Sequence, residues 1–201
     1  PLRYQLEPDS PAIKEECAYP ANPELSYGWA KLIGEKCVSY ASQEREGFRA
    51  AIARFIGIYG PNQDIGLETG SVIPVFSHRA IKHPDVNFGV WGTGKETRSY
   101  CYIDDTVECI KIMVKAMEAS DVVGPYNVGR QERITIREIA EKIVKLSGKD
   151  IDIEYDETRE TKIWGQLCDC SAIERELGWQ ASTSFEEGLH AVYQDVQEQL
   201  K

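Results

Sequence analysis

Long apolar runs are missing from this 201-residue chain: no stretch approaches the roughly 18 consecutive apolar residues of a membrane-spanning helix. Basic residues are outnumbered, 23 Lys and Arg against 33 Asp and Glu. The net charge of −10 argues against a nucleic-acid binder, because phosphate contacts need a basic surface. Six cysteines are too few for a disulfide scaffold of this length. Cys168-x-Cys170 has no second pair at zinc-like spacing, and His78 and His83, five apart on a helix, point in different directions, so no metal is expected. The opening PLRYQLEPDSPAIKEE lacks the apolar core of a signal peptide. Reduced thiols in a cytoplasmic protein are the expectation, and no repeats or low-complexity segments occur.

What is present builds a core: 42% of residues are hydrophobic and 28% charged, an ordinary globular balance. Five of the nine prolines fall in residues 1–23, which predicts an irregular loop and suggests that the chain starts part-way through a larger design. Leu25 to Glu44 places Trp29, Leu32, Ile33 and Cys37 at helical spacing. Phe48 to Ile58, closed by Tyr59-Gly60-Pro61, reads as a buried strand of a parallel sheet. A Gly-rich loop follows over 61–70, then a helix at Val72–Lys82 and strands near Val86–Val90 and Arg98–Ile103. Asp104 or Asp105 is expected to cap a helix from Thr106 to about Glu118, with a brief strand at Pro125–Val128 beyond it. Thr135/Glu138, Ser171/Glu174 and Ser184/Glu187 have the spacing of capping boxes. Gly148 and Gly178 stand where the first two of these helices should stop, with a strand-like Ile151–Tyr155 between them. The fold class is α/β.

Several constellations could carry chemistry. Tyr27 and Lys31 form a Tyr-x-x-x-Lys pair on one helix face. A neighbouring ammonium favours a phenolate, as a tyrosine acting as a base requires, but the pair by itself equally fits a partly exposed helical contact. Gly89-x-x-x-x-Gly94-Lys95 nearly spells a phosphate-binding loop, yet Glu96 stands where Ser or Thr is needed and strand-like residues follow. His190 reads as structural, and the Glu186–Glu187 pair reads as a solvated helix face.

The order of segments is more specific than any one of them. Ser26-Tyr27-Gly28-Trp29-Ala30-Lys31 opens a helix, and Arg54-Phe55-Ile56-Gly57-Ile58-Tyr59-Gly60-Pro61 closes a strand. Trp91-Gly92-Thr93-Gly94 leads into Thr97-Arg98-Ser99-Tyr100-Cys101-Tyr102-Ile103-Asp104-Asp105, followed by Tyr126-Asn127-Val128-Gly129 and Leu177-Gly178-Trp179. From about residue 15 onward the chain resembles the extended short-chain dehydrogenase/reductases, the NAD-dependent nucleotide-sugar epimerases, dehydratases and reductases. It is most similar to the branch of GDP-mannose 3,5-epimerases and UDP-glucuronate epimerases and decarboxylases.

The resemblance implies a partial Rossmann-like parallel sheet with a mixed α/β C-terminal substrate lobe. Residues 1–60 would be the remnant of the dinucleotide-binding domain and 61–201 mostly the substrate lobe, with about 104–130 returning to the sheet. It implies an isomerase or lyase using NAD or NADP, in which Tyr27 takes a proton from a sugar hydroxyl and Lys31 holds the cofactor ribose. Arg98 would contact the diphosphate of a nucleotide-diphosphate sugar, for which a guanidinium fork is suited.

Departures matter as much. No Gly-rich pyrophosphate motif follows a strand, and the family's catalytic Ser or Thr has no counterpart. Gly57 replaces a substrate-contacting Asn, Trp164–Cys170 lacks a second phosphate-binding Arg, and residues 61–71 lack the second acid/base Lys of 3,5-epimerases. Two expectations follow. The chain is the C-terminal part of a nucleotide-sugar epimerase or dehydratase, inactive alone, or it is a non-catalytic binding or assembly module derived from one. Either way it should bind NAD(P) poorly and cover its open strand edge, by homodimerisation or with a missing N-terminal half.

Overall fold

The computed structural model describes residues 11–23, 26–159, 165 and 167–201. Residues 1–10 of the proline-rich opening, and Trp164 and Gln166, lie outside them. In chain order the elements are α1 (Ser26–Glu44), β1 (Ala50–Phe55), β2 (Ile58–Tyr59), α2 (Val72–Lys82), β3 (Gly89–Trp91), β4 (Thr97–Arg98), β5 (Cys101–Tyr102), α3 (Ile103–Ala116), β6 (Val122–Val128), β7 (Ile134–Thr135), α4 (Ile136–Ser147), β8 (Glu154–Asp156), α5 (Ser171–Leu177) and α6 (Phe185–Gln199). The expected opening loop contains a 3-10 turn at Glu15–Ala18, and Ile13 forms a parallel bridge with Cys168.

The central pair is parallel. β1 runs beside β6 from Ala50 opposite Val122 to Phe55 opposite Val128, with an irregularity between Ala51 and Ala53. Both α1 and α3 pack against it. The apolar run of β1 reads as a fully buried strand because a parallel sheet is normally covered on both faces. In the structure its residues are only half-buried, and Phe55 is 41% exposed. The reason is topological: among the described residues the sheet has two strands, so β1 is paired along one edge.

Two apolar clusters form. One gathers Ile56, Cys101, Cys109, Met113, Val128, Ile173 and Trp179 around β1, β6, α3 and α5. The other packs α2, α4 and α6 on β3 through Ile73, Phe88, Ile139, Ile143, Leu189 and Val196. At about 25 cal/mol per Å² of apolar surface removed from water, such clusters are the main stabilising term.

Three local expectations change. Ser171 is the first helical residue of α5 and Cys170 its cap, without a side-chain bond, so only Thr135/Glu138 and Ser184/Glu187 are capping boxes. Neither Asp104 nor Asp105 caps α3, which begins at Ile103 after Tyr102, so both carboxylates fall in its first turn. That position still suits the helix dipole. The strand expected at Arg98–Ile103 breaks into β4 and β5, which pair with different partners, β7 and β2. Helices α4 and α5 do stop at left-handed Gly148 and Gly178. Among the described residues no helix is long and apolar enough to cross a membrane.

Candidate active site

Tyr27 and Lys31 stand together near the start of α1. The i,i+4 spacing brings the Lys31 Nζ to 5.3 Å from the centroid of the Tyr27 ring, within the range of a cation–π contact. Both side chains are exposed, Tyr27 at 72%. Arg98 lies on a different element, half-buried in β4 opposite Ile134, where its Nη1 donates to the Thr97 carbonyl at 2.8 Å. The structure therefore unites the Tyr–Lys pair and puts Arg98 on the segment that crosses the carboxyl end of β1.

Gly57 makes that crossing. It sits at φ +54° directly after β1, and its carbonyl accepts from Cys101 N at 3.0 Å. A Cβ here would fall within the van der Waals envelope of the Ser99 carbonyl oxygen, and 3.3 Å from Tyr100 Cα. The space that an Asn side chain would enter is thus filled by backbone. Beyond it, β2 and β5 run in parallel, Ile58 opposite Cys101 and Tyr59 opposite Tyr102.

Arg130 is a residue that motif reading passed over, although it directly follows Tyr126-Asn127-Val128-Gly129. Its Nε donates to Glu132 at 2.6 Å and its Nη1 to the Thr183 carbonyl at 2.6 Å, while its own carbonyl accepts from Ser99 Oγ. It borders a cavity of about 300 Å³ with Glu132, Glu174, Trp179 and Gln180, and another of about 130 Å³ with Tyr100, Arg133 and Lys142. The signal was available: an Arg just past the carboxyl end of a parallel strand lies where open α/β sheets bind ligands.

Burial sets the electrostatics of the inner tyrosines and cysteines. Burial pushes the Tyr59 phenol up and raises Tyr100 to about 12, against a small opposing pull from Arg98. It likewise raises the Cys109 and Cys170 thiols to about 12 and Cys168 further still. These thiols stay protonated and behave as small apolar groups. Among the described residues no His, Cys, Asp or Glu cluster is arranged to hold a metal. His78 bonds to the Ile65 carbonyl at 2.7 Å, and His190 is exposed on α6. Asp105 anchors the loop before α6, accepting from Ser182 Oγ and from Thr183 N, each at 3.0 Å. Glu186 reaches Lys142 at 2.5 Å and Glu187 closes the capping box of α6, and both lie on an exposed helix face as expected.

A dinucleotide pyrophosphate needs a Gly-rich turn entering a helix whose N–H groups are open. Two described strands pass straight into a helix: β5 into α3, with Asp104 and Asp105 in the first turn, and β7 into α4, where the N–H groups of Ile136, Arg137 and Glu138 already donate to the Glu96 carbonyl, the Gly94 carbonyl and the Thr135 hydroxyl. The described residues therefore do not fit the pyrophosphate of such a group. The near-match Gly89–Lys95 ends in β4 rather than in a helix.

Comparison with known proteins agrees with this architecture. A family described as "NAD dependent epimerase/dehydratase family" matches residues 4–129. GDP-mannose 3,5-epimerase of Arabidopsis thaliana is 31% identical over 98% of the chain and 50% of its own length. UDP-glucuronic acid decarboxylase 1 of the same plant is 32% identical over 98% of the chain and 46% of its own. The chain thus spans about half the length of the relatives it matches. Among solved structures, a UDP-glucose 4-epimerase from Thermotoga maritima with UDP-glucose superposes at TM-score 0.76 and 24% identity, covering 90% of this chain and 56% of that one. A UDP-glucuronic acid 4-epimerase from Bacillus cereus, in complex with UDP-glucuronic acid and NAD, gives 0.78 at 22% identity over 96% and 59%. At these identities the superpositions establish the fold, an α/β architecture with Rossmann-like parallel strands.

Proposed function

The chain belongs to the NAD dependent epimerase/dehydratase family, and from that premise we propose that it is the C-terminal part of an NAD(P)-dependent nucleotide-sugar epimerase or dehydratase, inactive alone. The observation that carries the reading is the exposed Tyr27–Lys31 pair on α1, in a chain that spans half the length of its relatives. In this proposal the Tyr27 hydroxyl moves a proton at a sugar hydroxyl and Lys31 is the cation of the pair. A nicotinamide cofactor supplies hydride chemistry when bound; from this chain it would meet Tyr27 and Lys31. Arg98 and the loop after β1 would meet the diphosphate. Residues 1–60 and about 104–130 make up the Rossmann-like part, and the remainder of 61–201 forms the substrate lobe. The buried thiols suit a reducing compartment, the cytoplasm.

A second reading, a binding or assembly module without catalysis, is favoured by one observation: Gly57 is backed by the Ser99 carbonyl, which leaves no room for a substrate-contacting side chain there. Both readings expect the edge of β1 that is unpaired among the described residues, and the exposed Trp29, Ile33 and Tyr40 of α1, to be covered, by a second copy or by an N-terminal half. Calorimetry with UDP, GDP, dTDP and NAD on the purified chain, beside light scattering, tests the proposal. We expect nucleoside diphosphate binding that weakens in Arg98→Ala, poor NAD binding and self-association. A strictly monomeric chain with micromolar NAD affinity would overturn it.

A further inference from the structure

Helix α1 has nineteen residues and one buried side chain, Leu32, at 3% exposure. One buried apolar side chain, with Val38 and Ala41 only half-buried beside it, gives a helix little restraint against rotation. Something directional must set the angle at which Tyr27 and Lys31 are presented.

The directional contact is a guanidinium. Arg54 of β1 donates from Nε to Glu35 Oε1 at 2.9 Å and from Nη2 to Glu35 Oε2 at 2.7 Å, a fork-to-fork pair. The two side chains are 10% and 15% exposed, so the contact is sheltered from solvent in a way that surface ion pairs are not. Glu35 follows Lys31 by four residues and Tyr27 by eight, which sets all three along one side of the helix. The remaining arm of Arg54, Nη1, donates to the Glu15 carbonyl at 2.8 Å. The Glu15 carboxylate in turn accepts from Asn127 N at 2.8 Å, and Asn127 stands opposite Arg54 in the β1–β6 register. Buried Asn127 also donates to the carbonyls of Ile13 at 2.9 Å and Asp169 at 3.1 Å. One cross-strand position thus ties α1, the Glu15–Ala18 turn and the 167–169 segment to the sheet.

We propose that Arg54 is a positioning residue for the Tyr27–Lys31 pair, its fork to Glu35 fixing the rotation of α1 on the sheet. The inference rests on the reading of Tyr27 and Lys31 as the proton-handling pair. Its consequence for such a pair is large, because a displacement of about 1 Å at a reacting group can cost on the order of 100-fold in rate.

The test measures the placement of α1 on the chain as it stands. With the half-exposed Cys17 replaced (Cys17→Ser), nitroxide labels go on the exposed Cys37 of α1 and on Lys115→Cys of α3, and the distance between them is read by pulsed electron paramagnetic resonance. The parent should give one narrow distribution. Arg54→Lys keeps the charge but loses the fork, and Glu35→Gln keeps the shape but loses the charge. Each should shift or broaden the distribution by roughly 1–2 Å, the scale of a helix shift, well below the melting temperature. Arg54→Ala should regain the parent distribution when guanidinium is added at millimolar concentration. A role limited to stability would lower the melting temperature and leave the distance unchanged, and that result in both Arg54→Lys and Glu35→Gln overturns the proposal. Should Arg54→Lys fail to fold, the milder Glu35→Gln decides. No cofactor or sugar nucleotide enters the measurement, so a failure to bind either would count against the proposed function and leave this result standing.

Discussion

Adding one methyl group at Gly57 should damage this protein more than adding one at Gly148, a left-handed glycine in open space. The φ of +54° puts a side chain in the left-handed region, which costs a non-glycine residue roughly 1–2 kcal/mol. In addition, the new Cβ would collide with the Ser99 carbonyl, lying 3.1 Å from its carbon and closer still to its oxygen. The colliding atoms are backbone, so relief requires moving the strand between Arg98 and Cys101, and overpacking of this kind costs about 1–3 kcal/mol. Gly148 supplies the control: its φ is +65°, and nothing lies within 4 Å of the position its Cβ would take. Gly148→Ala should therefore show the conformational cost alone, and Gly57→Ala that cost plus the collision. Urea unfolding of both variants gives the two midpoints, and unchanged m-values would validate the comparison. Gly57→Asn should relieve part of the conformational cost, since Asn tolerates this region, but none of the collision. Equal losses for Gly57→Ala and Gly148→Ala would refute the argument that backbone fills the space beside β1.

The two observed capping boxes predict that Thr135→Ala and Ser184→Ala each cost about 1 kcal/mol in urea unfolding, whereas Ser171→Ala, outside a box, costs less. The Glu138 carboxyl is held below its usual range by donation from the Thr135 backbone N–H and then from the Thr135 hydroxyl. Its stabilisation is therefore complete above the unfolded value and lost as pH falls through the depressed folded one; Thr135→Val, which removes the hydroxyl and keeps the backbone donor, should flatten that part of the acid-unfolding curve only in part. Burial raises the thiols of Cys109, Cys168 and Cys170, so the sign reverses. Their contribution is intact below the unfolded thiol value, about 8.5, and declines as pH rises beyond it, which unfolding at stepped alkaline pH would detect. At pH 8 a thiol reagent should modify Cys37 in the native chain well before these three, and equal rates would contradict their burial.

Elements with a local cause were legible in the sequence. The periodicity of Val72–Lys82 gave α2 its bounds, and Gly148 and Gly178 end α4 and α5 at left-handed φ. The Tyr27–Lys31 pair was legible too, since i,i+4 contact needs only a helix. What failed depended on contacts distant in sequence. Arg98–Ile103 reads as one strand, but Gly57 draws Cys101 to β2 while Thr97 and Arg98 pair with β7, so the run splits. Asp105 looks like a cap from its neighbours alone, yet its carboxylate is taken by Ser182 and Thr183, more than seventy residues away. The Arg54–Glu35 fork spans nineteen positions and follows no periodic pattern, so the contact that orients the candidate site was invisible until the fold was known.

The same division explains why α1 and β1 sit so oddly in their surroundings. The sequence of β1 carries the apolar run of a strand covered on both faces, yet Phe55 is 41% exposed and one edge is unpaired among the described residues. On α1 the buried Leu32 and the Arg54–Glu35 fork face the sheet, while Trp29, Ile33 and Tyr40, spaced by four and seven, form an exposed apolar stripe. Residues i, i+4 and i+11 fall on one helix face, so this is a second contact surface and not scattered exposure. A helix held on its sheet side by one polar clamp, and apolar on the other, is built to be fixed from two directions. Covering the stripe should then stabilise α1 without touching Arg54. Replacing Trp29 and Ile33 by Ser should abolish self-association in light scattering while leaving the Cys37-to-Lys115 label distance unchanged. If that distance moved with the loss of association, the second surface and not the guanidinium fork would be setting the angle of the Tyr–Lys pair.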